Sequence, residues 1–355
     1  MTIADHRPSP IAHRPSSIVH RPSSIVHSIN TKENRAMYSW DEDTSSWYGK
    51  SKYTYSPAAA PTRAASAERA RAAGPRTYQG RTGPNEKIVD PKKTISTQSK
   101  NPLIVAIDVT GSMASWPAEI FDRLPLLYNT LAQYRPDVEI CFAAIGDAGV
   151  DRWPLQVTTF ASGFDLEQLL GSLFGEGGGG DAPESYGLFA HWVNTHVEIP
   201  NAEEAPFLIV FGDITMHPKV SGKQVEHYLG DKSGDLDAIK EWQKLTQKWN
   251  TWFLRRPTGK RGDQIDDQWG KAIGAQKVFH IEDEQRAVDY AMGLVARSWG
   301  HFDDFQNNMR ARQDETKVKQ VSKPIEMICP RCGAPIPVNV DGMFKCGFCG
   351  TTLKL

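Results

Sequence analysis

The chain is short of cysteine, of net charge and of long apolar runs, and each shortage excludes something. Its 355 residues include five cysteines, four of them within the last 27 positions. Cysteines gathered at one end do not make a disulfide framework; they argue for a metal in a reducing compartment, so a cytoplasmic location is expected. Forty-one Lys and Arg against 42 Asp and Glu leave a formal charge of −1. That balance gives no global reason to expect nucleic acid or an anionic membrane as partner. The apolar runs, such as PLIVAI and FLIVF, are strand-sized and far below the roughly 20 residues of a membrane span. His, Arg, Pro and Ser crowd the first positions where a secretory signal would place a cationic and then an apolar stretch, so no signal and no membrane association are expected.

What is present begins with a repeat. Residues 6–27 read HRPSPIA, HRPSSIV, HRPSSIV and then HS. A Pro in every repeat forbids the continuous helix that a period of seven suggests. The nucleotide unit CATCGTC, repeated in tandem, encodes His-Arg-Pro-Ser-Ser-Ile-Val. The low-complexity segment 1–36 is therefore read as a translated DNA repeat, with Met37 as the physiological start. N-terminal sequencing of the native protein checks this, and peptides from 6–27 would refute it. The alternative is a metal-binding tail through His6, His13, His20 and His27. Residues 37–100 open on an aromatic, acidic patch, MYSWDEDTSSWYG, and continue Ala/Pro/Arg-rich, with nine Lys or Arg against three Asp or Glu over 62–100. Little apolar periodicity is visible, so a disordered linker or tail is expected. Its aromatic patch is either a docking motif or simply solvated.

From 101 to about 300 the pattern alternates between strands and helices. PLIVAIDV (102–109) is a short apolar run without alternation, the mark of a strand buried on both faces. Ile120, Leu124, Leu127 and Leu131 lie on one helical face, with Pro117 near the first turn and Pro125 inside. VEICFAAIG, LQVTTFA, PFLIVFGD, TWFLR and KVFHI read as further strands. Helical faces run through Leu166, Leu169 and Leu170, from about Pro183, through Ala238, Trp242, Leu245 and Trp249, and through Val288, Ala291, Met292 and Val295. The expected fold class is α/β, a doubly wound, mostly parallel sheet. A charged helical connector over 301–324 then leads to a small cysteine-rich end, 325–355.

In such sheets ligands bind beyond the carboxyl ends of the strands. Two strands here end in Asp, at Asp108 and Asp213. The first continues DVTGSM, which sets Asp108, Thr110 and Ser112 at alternate positions of a tight turn pivoting on Gly111. One carboxylate and two hydroxyls are an oxygen set suited to a hard, water-keeping cation such as Mg²⁺. The run GEGGGG (175–180) satisfies G-x-G-x-x-G, yet it follows a helix where a dinucleotide loop follows a strand, and it leads to Asp181. It is read as a metal loop.

Here the sequence resembles the von Willebrand factor A (vWA) family over about 102–300. The family's metal-ion-dependent adhesion site has the form D-x-[ST]-x-S, then a Thr or Asp in a glycine-rich loop, then an Asp ending a later strand. The resemblance assigns Asp108, Thr110, Ser112, Asp181 and Asp213 to Mg²⁺ or Mn²⁺. Asp181 stands where many members have Thr, and as a third carboxylate it would leave the cation less electrophilic. An enzymatic alternative, a haloacid-dehalogenase-type phosphohydrolase, also ends its first strand in Asp. Its second acid is Thr110 here, and GDITMH lacks the extra acid common in that family, with His217 the nearest substitute. RGD at 261–263 is read as chance, and Cys141 as a small buried hydrophobe.

The end of the chain places Cys329, Cys332, Cys346 and Cys349 as two C-x₂-C pairs thirteen residues apart, each pair followed by glycine. Between them IPVNV, Asp341-Gly342 and MFK read as a hairpin. Four thiolates suit Zn²⁺ and leave no open position for chemistry; the segment resembles a zinc ribbon, with two redox dithiols as the alternative. Arg331, Phe344, Lys345 and Phe348 lack the basic, aromatic spacing of a nucleic-acid face, so protein docking is preferred.

The expectation is a non-enzymatic, metal-dependent protein-interaction module acting as an intracellular adaptor, its partner offering a carboxylate to the cation. The resemblance extends to bacterial A-domain proteins that work beside AAA+ ATPases, kinases or phosphatases, and to subunits of transcription and repair complexes. Nucleic acid, through ribbon and linker, is the alternative partner.

Overall fold

The central strand, β1 (Pro102–Asp108), is buried along its whole length. Leu103, Val105 and Ile107 enter one apolar layer, while Ile104 and Ala106 enter the other. Burial on both faces is why this segment shows no polar alternation. The computed structural model describes residues 38–41, 56–78, 81–178, 183–203, 206–257, 262–336 and 343–354, all within the compact unit Met37–Leu355. The repeat at 6–27 lies outside the described residues.

Around β1 are β2 (Glu139–Ile145), β3 (Leu155–Val157), β4 (Phe207–Gly212), β5 (Asn250–Arg255) and β6 (Val278–His280), in the order β6-β5-β4-β1-β2-β3. Every neighbouring pair is parallel except β2 and β3. Of LQVTTFA, Leu155–Val157 forms the antiparallel edge strand, and Ala161 makes a further isolated antiparallel bridge to Ile140. The helices are α1 (Ala60–Ala73), α2 (Trp116–Tyr134), α3 (Asp165–Leu170), α4 (Tyr186–His196), α5 (Gly222–Leu229), α6 (Ala238–Leu245), α7 (Gly262–Ile273), α8 (Ala287–Ser298), α9 (Phe302–Arg312) and α10 (Glu315–Glu326). Residues of α2, α8, α9 and α10 fill the layer on one face of the sheet, and those of α4, α6 and α7 the other. This is the expected doubly wound α/β fold. Among the described residues no helix is long and apolar enough to cross a membrane.

Two expectations need correction. The stretch 37–100 is not a disordered tail where it is described. Trp40 is fully buried, its ring 5.9 Å from Tyr128 and 6.2 Å from Phe164, and its indole N–H donates to Glu167 at 2.5 Å. Arg76 pairs with the same Glu167 carboxylate and donates to the carbonyls of Tyr38 and Phe121. Helix α1 buries Ser66, Ala67 and Ala70, residues too small to raise an apolar periodicity. The aromatic patch thus docks Trp40 on its own chain. The charged connector, likewise, is two helices broken at Gln313–Asp314, with the Asp314 carboxylate capping α10 by accepting from the backbone N–H of Thr316 and Lys317 at 3.0 Å. Phe302, Phe305 and Met309 of α9 and Val318, Val321 and Ile325 of α10 belong to the main core.

Candidate functional site

Register sets the site. Ile107 pairs with Phe211, so Asp108 and Asp213 emerge at the same carboxyl edge from adjacent strands. Asp108 is fully buried. Its Oδ1 accepts from the Thr110 N–H at 2.9 Å and the Thr110 hydroxyl at 2.7 Å; its Oδ2 accepts from the Tyr186 hydroxyl at 2.5 Å. Ser112, exposed at the mouth, donates to Asp213 Oδ2 at 2.7 Å. Arg256, one residue past β5, brings Nη1 to 3.4 Å from that same oxygen and its Nε to 2.7 Å from Glu284. The structure therefore brings together four of the five residues assigned by sequence. The fifth, Asp181, lies outside the described residues.

The described part of the glycine run approaches this turn. The Gly111 N–H donates to the Gly178 carbonyl at 2.9 Å. At Gly175 a Cβ would sit 2.7 Å from the Ala114 carbonyl oxygen and 3.1 Å from its Cα, backbone atoms that cannot swing aside. Glycine is needed here for close approach between loops.

Sequence reasoning missed Glu184. It is 1% exposed, and its Oε2 has no hydrogen-bond partner among the described residues. Burial, then the neighbouring Asp108 charge, pushes its carboxyl up to about 8, although Thr110 opposes the shift. Burial also drives Asp108 up to about 7 against its hydrogen bonds from Tyr186 and Thr110. Two buried carboxyls that resist ionising, one with an orphaned oxygen, mark this edge as a candidate functional site. Nothing local in DAPES signals it; the burial of Glu184 is a tertiary event. His217 pairs with Asp147 at 2.9 Å, a structural contact at the strand edge. Of the RGD tripeptide, Gly262 and Asp263 open α7 and Arg261 lies outside the described residues. Cys141 is fully buried on β2, where desolvation pushes its thiol up to about 12 and keeps it unreactive.

The second centre is the cysteine cluster. Sulfurs of Cys329, Cys332, Cys346 and Cys349 lie within 4.8 Å of one another, and among the described residues no other set of three or more His, Cys, Asp or Glu does so. Cys332 and Cys346 sulfurs are 3.6 Å apart, those of Cys329 and Cys349 3.7 Å. A zinc ion about 2.3 Å from each sulfur spaces them about 3.8 Å apart in a tetrahedron, whereas a disulfide needs about 2.05 Å. Each pair forms the same knuckle: the Gly333 N–H donates to the Cys329 carbonyl at 2.8 Å and the Gly350 N–H to the Cys346 carbonyl at 2.9 Å. Both glycines have positive φ, 76° and 72°, which explains their place after each pair. MFK forms β7 (Met343–Lys345), but it pairs antiparallel with β8 (Thr352–Lys354). The rest of the expected hairpin, 337–342, lies outside the described residues. The set fits a soft divalent metal such as zinc.

No protein-family model and no curated protein matches the chain. Solved structures to which it is similar include proximal thread matrix protein 1 from the mussel byssus, at 11% identity and a TM-score of 0.39 over 59% of this chain and 49% of that one. Another is the pilus adhesin SpaC from Lactobacillus rhamnosus GG, at 9% identity and a TM-score of 0.39 over 61% of this chain and 32% of the adhesin. A third is the SpRpn10 VWA domain, at 12% identity and a TM-score of 0.34 over 54% of this chain and 94% of the domain. The chain spans less than half the length of the first two.

Proposed function

We propose that the chain is a non-enzymatic, metal-dependent protein-binding module that works as an adaptor in a larger assembly. The observation that carries this reading is the 2.7 Å bond between Ser112 and Asp213, residues 101 positions apart, at the same sheet edge as the buried Asp108 and its partner Thr110. A hard cation such as Mg²⁺ or Mn²⁺ takes oxygen ligands, and Asp108, Thr110, Ser112 and Asp213 offer nothing else. Asp181 is the fifth candidate, and the unpartnered Oε2 of Glu184 adds an oxygen nearby. Bound there, the cation supplies a positive charge at which a partner's carboxylate completes the shell. Tyr186 holds the second oxygen of Asp108 in place. Thr110 and Ser112 contribute oxygens without charge, and Arg256 offsets the charge of Asp213.

Calorimetric titration of Mg²⁺ and Mn²⁺ into the wild-type chain and Ser112→Ala tests the site, because Ser112 is exposed and its loss spares the core. We expect binding to weaken about tenfold or more in the variant. A pull-down from source-cell lysate should then yield a partner lost both on chelation and in the variant. The same partners captured under all conditions, or a Mg²⁺-dependent phosphoesterase activity that Ser112→Ala diminishes, would overturn the reading, the latter in favour of a phosphohydrolase.

A further inference from the structure

At the other end of the sheet Lys277 presents an anomaly. It sits just before β6 and is 9% exposed, and among the described residues no carboxylate figures among the charges that act on it. Its Nζ donates to Asn250 Oδ1 at 2.7 Å, lies 3.5 Å from the Arg331 carbonyl, and sits 4.0 Å from the centre of the Trp252 ring. A buried ammonium given only neutral partners is costly. Burial pushes the Lys277 amine down to about 8, against an opposing pull from Cys332, Cys329 and Cys349.

Packing is equally specific. The first knuckle of the ribbon rests on the α/β domain. At Gly333 a Cβ would lie 2.6 Å from the Trp252 ring, 2.8 Å from the Gln276 carbonyl and 3.3 Å from Lys277 Cδ. Asn250 and Trp252 belong to β5 and Lys277 adjoins β6, so the domain itself builds this seat. Four thiolates around one divalent ion retain a formal double negative charge. Two disulfides, or four protonated thiols, carry none and would leave the ammonium buried without a counter-charge.

We propose that Lys277 is the counter-charge which the α/β domain supplies to the ribbon's metal–thiolate cluster, so that loading the metal and seating the ribbon on Trp252 and Gln276 are one equilibrium. Lys277 is a positioning residue here, since it acts on the metal through the cysteines. Loss of the metal strands the ammonium, and the seat opens.

Two measurements on the full chain test this. In competition with a chromophoric chelator, Lys277→Met should bind Zn²⁺ about ten- to a hundredfold more weakly than wild type, the range typical of residues that support metal ligands. In the wild-type chain, acylation of the Lys277 amine by an amine-reactive ester, followed by peptide mass spectrometry, should be at least about tenfold faster after zinc is chelated, because the amine leaves its cover. The second readout stands even if Lys277→Met fails to fold. Equal zinc affinity in a folded Lys277→Met protein, equal acylation with and without zinc, or recovery of the native protein with two disulfides in place of four thiols would each overturn the proposal.

Discussion

A chain carrying Cys346→Ser will bind no stoichiometric zinc, and limited proteolysis will remove everything beyond about residue 327 while the sheet from β1 to β6 stays intact. The expectation follows from the small size of the ribbon's own core. Among the described residues its buried apolar cluster is Cys329, Ala334 and Cys346, with Cys332, Phe344 and Cys349 partly buried beside them and Ile336 buried outside it. That is too little apolar surface to offset the ordering of the segment, so the metal supplies the folding energy, on the order of 10–16 kcal/mol for structural zinc at neutral pH. The α/β domain, by contrast, has two large apolar layers of its own. Metal analysis of the purified variant beside a proteolysis time course reads both halves. A stable, zinc-free ribbon would show that packing on the domain suffices.

Replacing Arg312 with Ala is expected to destabilise the fold by about 3–5 kcal/mol, the cost of stranding a buried charge. Arg312 ends α9 with its side chain 3% exposed, and its Nη2 lies 3.0 Å from Asp289, itself 2% exposed, on α8. Its other nitrogens reach Asn308 Oδ1 at 2.6 Å and the Tyr38 hydroxyl at 3.2 Å. Without it the one cation left paired with Asp289 among the described residues is Arg286, 3.8 Å away. The guanidinium also joins three parts of the chain, so its loss should free the segment around Tyr38 and Trp40 as well. Denaturant unfolding, read as a lower midpoint at unchanged slope, gives the magnitude. A change below about 1 kcal/mol would mean that the carboxylate finds water or another cation.

These residues also mark what a sequence can and cannot reveal. Asp108 was legible because the strand it ends is buried on both faces, which writes an uninterrupted apolar run closed by an acid. The knuckles were legible because a tetrahedral cluster imposes its spacing and its glycines locally. Helices α9 and α10 carried a readable signal, Phe302, Phe305 and Met309, then Val318, Val321 and Ile325, under a surface charge that drew attention away from it. Trp40 was not legible, because its partners Tyr128, Phe164 and Glu167 lie far along the chain and α1 packs through alanine and serine. Glu184 was not legible for the same reason: a carboxylate looks solvated until a fold closes over it.

The polarity of the parallel sheet has a last consequence. Strand β5 begins at Asn250, under the ribbon, and ends at Arg255, one residue short of the guanidinium that meets Asp213. Six extended residues span roughly 20 Å. The sheet thus carries two unlike ends, the knuckle of the cysteine cluster packed beside one and the oxygen-bearing turn of Asp108 and Asp213 at the other. One strand's length therefore separates the two groups of residues, too far for a single small ligand to touch both.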